Sequence, residues 1–311
     1  MKMFPNRPVG HVKLGLLYEK EKKPEQAIEE YRRALAFDEE ALLPASRLAK
    51  LLLETKGFSP AVQELEGLIE SSRRMRPFLR FVLARVLLEK KPLEEADTDR
   101  IRELLLEVTK DRPSFGAPYL VLANLDARLG NFSDAEKRYR RLIELNPEDT
   151  SARLVLGLIR EQQKDYQQAA TLYREILERS PRHPQAVNNL AWLLATELDG
   201  DVEEAYRLAR SAKEELPDDP AITDTLAWIY HKKGQDRAAL SYIQEALELD
   251  AKRRPGSGPH PQMLYHRGVI EQALGEREKA VQSLKQALQI GGPSMPNRAE
   301  IVSLLGSLTA G

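Results

Sequence analysis

Residues 156–181 read LGLIREQQKDYQQAATLYREILERSP, and their pattern decides the fold. Gly157 is followed twelve positions later by Ala169, and four positions further on by Tyr173. The apolar residues between them recur at the helical spacing i, i+3, i+4 and i+7. A small residue on one helix and an alanine on the next let two antiparallel helices approach closely, with the large residue filling the space beside them. Pro181 then ends the second helix. The stretch therefore predicts a tightly packed helical hairpin.

The same pattern recurs in four further segments: 14–34, 122–147, 226–250 and 267–287. Their small, alanine and large positions are Gly15, Ala27 and Tyr31; Ala123, Ala135 and Tyr139; Ala227, Ala239 and Ile243; and Gly268, Ala280 and Leu284. A hairpin of this size cannot bury its own apolar face, so each one depends on its neighbours along the array.

This set of recurring positions resembles the tetratricopeptide-repeat (TPR) family, whose unit is about 34 residues long. The resemblance covers nearly the whole chain. It implies an all-α TPR solenoid of about eight helix-turn-helix repeats. It also implies a right-handed superhelix, with the first helix of each repeat on the concave side and a capping helix at the C-terminal end.

We divide the chain into a lead-in at 1–7, a repeat array at 8–294 and a capping helix within 295–311. The predicted repeats are 8–41, 42–75, 77–115, 116–149, 150–183, 184–219, 220–253 and 261–294. The third repeat carries extra residues around Lys91–Asp99, which we interpret as a longer turn. The Gly- and Pro-rich stretch 253–261 is predicted to be a loop.

Composition narrows the classes of function. The 47 basic and 48 acidic residues nearly cancel, so bulk attraction to nucleic acid is not expected. The chain has no cysteine, which excludes disulfides and thiolate-bound zinc. No apolar run approaches the roughly 18 residues of a membrane-spanning helix, so direct membrane insertion is not expected.

Catalytic patterns are missing from the sequence. The five histidines show no HExxH spacing, and there is no glycine-rich phosphate loop and no GxSxG. We therefore expect no enzyme activity, no cofactor and no metal. The remaining catalytic alternative would bring His231, His266 and Asp224 into one groove, where polar groove lining is the simpler interpretation.

The predicted peptide-binding groove lies on the first helices of the sixth, seventh and eighth repeats. Its residues are Gln185, Asn188, Asn189 and Trp192; Asp224, Thr225, Trp228 and His231; and Gln262, Tyr265, His266 and Val269. Within each helix their spacing places them on one face. The two tryptophans occupy equivalent positions, and neither is needed to fill the core. A rigid aromatic flanked by amides suits an extended peptide. The alternative is that the two indoles pack on each other and stiffen the array.

A secondary basic groove is predicted in the N-terminal repeats. Its residues are Lys13, Arg47, Lys50, Phe78, Phe81 and Arg85, and a basic run, SSRRMRPFLR, occupies positions 71–80 nearby. Such a groove would receive an acidic or aromatic-rich segment. The alternative is an ordinary solvated face.

The leading functional expectation is a scaffold that binds a peptide or protein segment in its concave groove. Residues 188–195 (NNLAWLLA) and 224–230 (DTLAWIY) resemble C-terminal repeats of bacterial multi-TPR proteins, some of them linked to exopolysaccharide production or envelope assembly. This leaves a periplasmic assembly or secretion factor as one alternative, and a self-assembling homo-oligomeric module as another. The first residues lack the apolar core of a signal peptide. The chain alone thus indicates the cytoplasm, or the periplasm if it is a fragment without its signal or anchor.

Overall fold

The computed structural model describes residues 8–37, 42–198 and 200–310, and these residues form seventeen α-helices and no β-strand. The all-α fold class expected from the sequence is confirmed. The predicted lead-in at 1–7 lies outside the described residues. So do residues 38–41, where the first predicted repeat ends.

The chain divides into two compact units, Met1–Pro147 and Glu148–Gly311. The helices of the N-terminal unit are α1 (Pro8–Lys20), α2 (Pro24–Leu35), α3 (Leu42–Lys56), α4 (Phe58–Ser71), α5 (Arg76–Leu87), α6 (Glu95–Asp111), α7 (Gly116–Arg128) and α8 (Phe132–Leu145). Each odd-numbered helix contacts the even-numbered helix that follows it.

The C-terminal unit repeats this arrangement. Its helices are α9 (Ser151–Gln162), α10 (Tyr166–Arg179), α11 (Pro184–Thr196), α12 (Val202–Glu215), α13 (Pro220–Lys232), α14 (Asp236–Arg253), α15 (Pro261–Ala273), α16 (Arg277–Gly291) and α17 (Arg298–Thr309). Helices α9 to α16 form four successive pairs, and α17 packs on α16.

Close helix approach explains the recurring glycine. A Cβ atom added at Gly157 would lie 2.6 Å from Cε1 of Tyr173, and one added at Gly268 would lie 2.7 Å from Leu284. The large residue therefore lies directly on the backbone of the first helix, rather than beside the small residue. Ala169, the second position of the pattern, is fully buried between the two helices.

The buried tyrosines of this pattern also bind the first helix through their hydroxyl groups. In the C-terminal unit the Tyr173 hydroxyl donates to Glu161. In the N-terminal unit Tyr31 donates to Glu19, and Tyr139 donates to Asn124 at 2.6 Å. Burial, reinforced by the hydrogen bond to Glu161, raises the pKa of Tyr173 well above its usual range.

The raised pKa of Tyr173 makes folding stability pH-dependent. An unfolded tyrosine ionises near pH 10. Above about pH 10 the folded state therefore holds this proton more tightly than the unfolded state, and stability falls as the pH rises further. We expect the unfolding free energy of Tyr173→Phe to fall less steeply than that of the wild type between about pH 9 and about pH 11. Urea unfolding across this range measures both slopes, and equal slopes would contradict the prediction.

Helix α17 covers the last hairpin, as the predicted capping helix should. Ile301 is fully buried and belongs to one apolar cluster with Leu284 and Tyr265. The outward face of α17 is not wholly polar, because Val302 is 52 % exposed.

The third repeat has a longer turn than its neighbours, as predicted, but this turn ends before Asp99. Helix α6 already begins at Glu95, so only residues 88–94 separate it from α5. The reason is a capping box, in which the Glu94 backbone N–H donates to Asp97 Oδ2 at 3.1 Å and the Glu94 side chain accepts in return. This start signal lies inside the residues that we expected to belong to the turn.

None of the described helices is both long enough and apolar enough to cross a bilayer.

Candidate functional site

The predicted peptide groove separates into an accessible and a buried set of residues on α11, α13 and α15. The accessible or half-buried members are Gln185, Asn188, Asn189, Trp192, His231, Gln262 and Val269. The buried members are Asp224, Thr225, Trp228, Tyr265 and His266. The structure corrects the expectation that all of these side chains stay clear of the packing between helices.

The central position of α13 explains the burial. This helix contacts α11, α12, α14 and α15, so neighbouring first helices cover it as well as its own partner. Every residue from Ile222 to Ile229 is buried as a result. Residues on one face of an isolated helix are therefore not equally accessible once the repeats stack.

Trp228 is the centre of an aromatic cluster formed by Trp192, Trp228, Tyr265 and His266. The Trp228 ring centroid lies 4.4 Å from that of His266, 6.1 Å from Tyr265 and 6.4 Å from Trp192. Trp228 is only 8 % exposed and shares an apolar cluster with Leu264. The interpretation that neither tryptophan is needed for the core is thus wrong for Trp228. Trp192 stays half-buried.

His266 is held by two hydrogen bonds inside the aromatic cluster. Its Nδ1 lies 2.7 Å from Asp224 Oδ1, and its Nε2 lies 3.0 Å from the side-chain nitrogen of Gln262. A carboxylate can only accept, and an amide nitrogen can only donate. Nδ1–H therefore donates to Asp224 while Nε2 accepts from Gln262, which fixes one tautomer.

His231 has a separate carboxylate partner. Its Nδ1 lies 2.6 Å from Asp236 Oδ1, and both side chains are about four-fifths buried. Of the three residues in the catalytic alternative, the structure brings only His266 and Asp224 into a hydrogen bond.

Two buried polar atoms on these helices have no hydrogen-bond partner among the described residues. They are the indole Nε1 of Trp228, a donor, and Oδ1 of Asn188, an acceptor. A buried polar group left unpaired costs about 1–3 kcal/mol. The sequence does not reveal these unpaired atoms, because tryptophan and asparagine side chains usually find a hydrogen-bond partner.

The predicted basic groove of the N-terminal unit partly coincides with a cavity of about 680 Å³ between α3 and α5. Its lining includes Arg47, Lys50 and Arg85, with Leu53, Phe58, Val82 and Val86 as apolar walls and Glu54 and Glu89 as carboxylates. Sequence reasoning missed the carboxylates and Phe58. Lys13 and Phe78 lie outside this lining.

Phe81 is a core residue and not a groove residue. It is 4 % exposed, and its ring centroid lies 5.1 Å from that of Phe115, which Phe78 also approaches at 5.5 Å. The expectation of an exposed Phe81 is corrected by this packing of α5 against the residue that precedes α7.

The three basic side chains of this cavity differ in whether a carboxylate lies close to them. Arg47 lies 3.4 Å from Glu19, and Lys50 lies 3.6 Å from Glu54. Arg85 is exposed and has no ion-pair partner among the described residues. It is therefore the cation most available to a ligand there.

Solved structures share this fold at low sequence identity. A tetratricopeptide-repeat protein from Parabacteroides merdae has a TM-score of 0.56 and 19 % identity, over 87 % of this chain and 99 % of that chain. The structure of the APC/C hetero-tetramer Cut9–Hcn1 contains a chain with a TM-score of 0.58 and 15 % identity, over 97 % of this chain and 70 % of that chain. No curated protein matches the sequence.

Family models assign the chain directly. Two models described as tetratricopeptide repeat match it, one at residues 120–184 and 162–220, the other at 10–40, 224–253 and 261–290. Together these matches span more than half of the sequence. Members of this family bind proteins or peptides and are typically non-catalytic scaffolds. The chain belongs to the tetratricopeptide-repeat family.

Proposed function

We propose that the protein is a non-catalytic scaffold that holds an extended peptide segment of a partner against the accessible surface of α11, α13 and α15. The observation that carries this proposal is the contrast between the two tryptophans. Trp192 remains half-buried, whereas Trp228 behind it is buried and supports it.

The support behind Trp192 makes it a suitable anchor. Its ring centroid lies 6.4 Å from Trp228 and 5.5 Å from His266, so its orientation is already restricted before a ligand arrives. An anchor fixed in advance loses little conformational entropy on binding. Its accessible ring offers apolar area, which large aromatic residues at protein interfaces typically supply.

Polar side chains around Trp192 would align the peptide backbone. Asn189 and Gln185 are accessible amides, each with donors and an acceptor. The unpaired Oδ1 of the half-buried Asn188 provides one further acceptor. A peptide N–H that enters beside Trp192 pairs with it after rotation of the Asn188 side chain, which relieves the cost of leaving this oxygen unpaired.

The cavity between α3 and α5 is a second surface for the same function. Its apolar walls and the unpaired Arg85 suit a segment that carries one apolar side chain next to an acidic one. This surface lies in the N-terminal unit.

Peptides selected from an unbiased library on the full chain test the proposal. We expect Trp192→Ala to weaken binding of the selected peptides at least about tenfold, because an interface anchor contributes about 2 kcal/mol or more and about 1.4 kcal/mol is tenfold. Leu216→Ala is the matched control: Leu216 is an apolar residue of the same unit, 40 % exposed at the end of the second helix α12, and its removal should change nothing. Fluorescence anisotropy with labelled peptides measures both affinities.

The same titration distinguishes the two surfaces. Peptides weakened by Trp192→Ala but not by Arg85→Glu belong to the α11–α13–α15 surface, as proposed. If the selected peptides lose affinity only with Arg85→Glu, they bind at the N-terminal cavity, and the proposed role of Trp192 is refuted. Selected peptides that bind all three variants like the wild type refute both surfaces.

A further inference from the structure

A strongly basic pocket lies where the start of α5 meets the end of α6. Its volume is about 560 Å³. The charged side chains that line it are Arg73, Arg74, Arg76, Arg80, Lys110 and Arg112, together with Glu107 and Asp111. Arg74 and Arg112 have further interactions, so the cations that matter for a ligand are Arg73, Arg76 and Lys110. We refer to it as the basic pocket.

One arginine takes up both carboxylates. Arg80 Nε lies 2.9 Å from Glu107, and its Nη1 lies 3.1 Å from Asp111. Arg76 donates to the backbone carbonyl of Ile69 at 3.2 Å, which is a neutral partner. Both of these carboxylate contacts thus go to Arg80, and Arg76 has a neutral partner that leaves its charge unbalanced.

Two cations at the basic pocket are open to solvent. Arg73 and Lys110 are exposed, and neither has an ion-pair partner among the described residues. Each can turn towards an incoming anion without giving up an existing bond.

The start of α5 adds positive potential to the same place. This twelve-residue helix begins at Arg76 after Met75, and no side chain caps its first turn. The free amides of a helix N-terminus carry a partial positive charge that favours an anion. Close by, the Arg112 guanidinium lies 5.6 Å from the centre of the Phe78 ring, which restricts its movement.

We propose that the basic pocket binds the phosphate group of a phosphoserine or phosphothreonine in a partner polypeptide. Such a phosphate carries about −1.5 to −2 charges and three acceptor oxygens. Arginine forks match this group with two parallel hydrogen bonds each. A single carboxylate carries one charge and would balance only part of the charge of Arg73, Arg76 and Lys110. The pocket is also wider than one phosphate group, so it accommodates the residue that carries it.

The position of the two carboxylates disfavours an anionic lipid surface as the occupant. The side chains of Glu107 and Asp111 are 55 % and 45 % exposed at the edge of the pocket. A flat layer of negative headgroups would be forced against both of them. A single phosphorylated side chain can enter between the arginines and avoid this repulsion.

Anisotropy measurements with the full chain test the proposal. The probe is a fluorescein-labelled nonapeptide of glycine and serine with one central phosphoserine, compared with the same peptide carrying serine or glutamate. We expect binding of the phosphorylated form only, weakened at least about tenfold by Arg73→Ala/Lys110→Ala and reduced by added salt. Inorganic phosphate should compete.

The double variant Arg207→Ala/Lys252→Ala is the matched control. It removes the same two charges from exposed positions of the other compact unit, and it should bind like the wild type. Circular dichroism checks whether both variants keep the helical fold.

Three results would overturn the proposal. The first is equal binding of the serine or glutamate peptide. The second is an equal loss in the control variant. The third is sedimentation with phosphatidylserine vesicles that depends on Arg73 and Lys110, without binding of the phosphopeptide. None of these depends on Trp192, so the proposed scaffold function and this site fail or succeed separately.

Discussion

Replacing His266 by alanine should lower the free energy of unfolding by about 3–5 kcal/mol, because it leaves a buried carboxylate without its partner. Asp224 is 9 % exposed, and His266 is its hydrogen-bond partner. The substitution also removes a ring that lies 4.4 Å from Trp228 at the centre of the aromatic cluster. Urea unfolding followed by circular dichroism measures the loss.

His231 provides a matched control of the same chemistry. It pairs with Asp236 at a nearly equal distance, 2.6 Å, but its side chain is 20 % exposed whereas that of His266 is 1 % exposed. Water reaches the Asp236 carboxylate more readily than that of Asp224, so His231→Ala should cost less than His266→Ala.

A double variant separates charge burial from lost packing. Asp224→Ala/His266→Ala should be more stable than His266→Ala alone, since it no longer buries an unpaired carboxylate. If the double variant is the less stable of the two, the cost comes from packing and the electrostatic account is wrong.

Gly157→Ala should destabilise the chain by about 1–3 kcal/mol, although alanine normally favours a helix. The added Cβ atom would lie 2.6 Å from the ring of Tyr173, which is itself fully buried and hydrogen-bonded to Glu161. The ring cannot move aside without giving up that bond, so α9 and α10 must separate. Thermal and urea unfolding measure the effect.

Gly67→Ala is the control for this substitution. Gly67 lies within α4, and nothing lies within 4 Å of an added Cβ atom. Alanine there should stabilise the protein by about 0.5–1 kcal/mol through helix propensity alone. A stabilising effect at both glycines would show that the helices of the C-terminal pair are not as closely packed as described.

Trp192 and Trp228 show where inference from the sequence stops. They occupy equivalent positions of adjacent repeats, and nothing in the local sequence distinguishes them. The difference arises because α13 is covered by first helices on both sides, α11 and α15. Burial of Trp228 thus depends on residues that are more than one repeat away in the chain.

The basic pocket shows that the sequence also does not reveal where positive charge collects. The basic run at 71–80 is visible in the sequence, but the sequence does not distinguish it from an ordinary solvated face. Only the hairpin of α5 and α6 brings Lys110 and Arg112 to the same place and pairs both nearby carboxylates with Arg80.

The sequence by itself determined the helices, their pairing and the family, because helical period and close-packing residues act within about 34 positions of one another. Tertiary structure alone decided which inner-face side chains remain accessible, how the two histidine–aspartate pairs differ, and where positive charge collects. Accessibility and electrostatic pairing depend on distances between residues of different helices, and those distances exist only after the repeats have stacked.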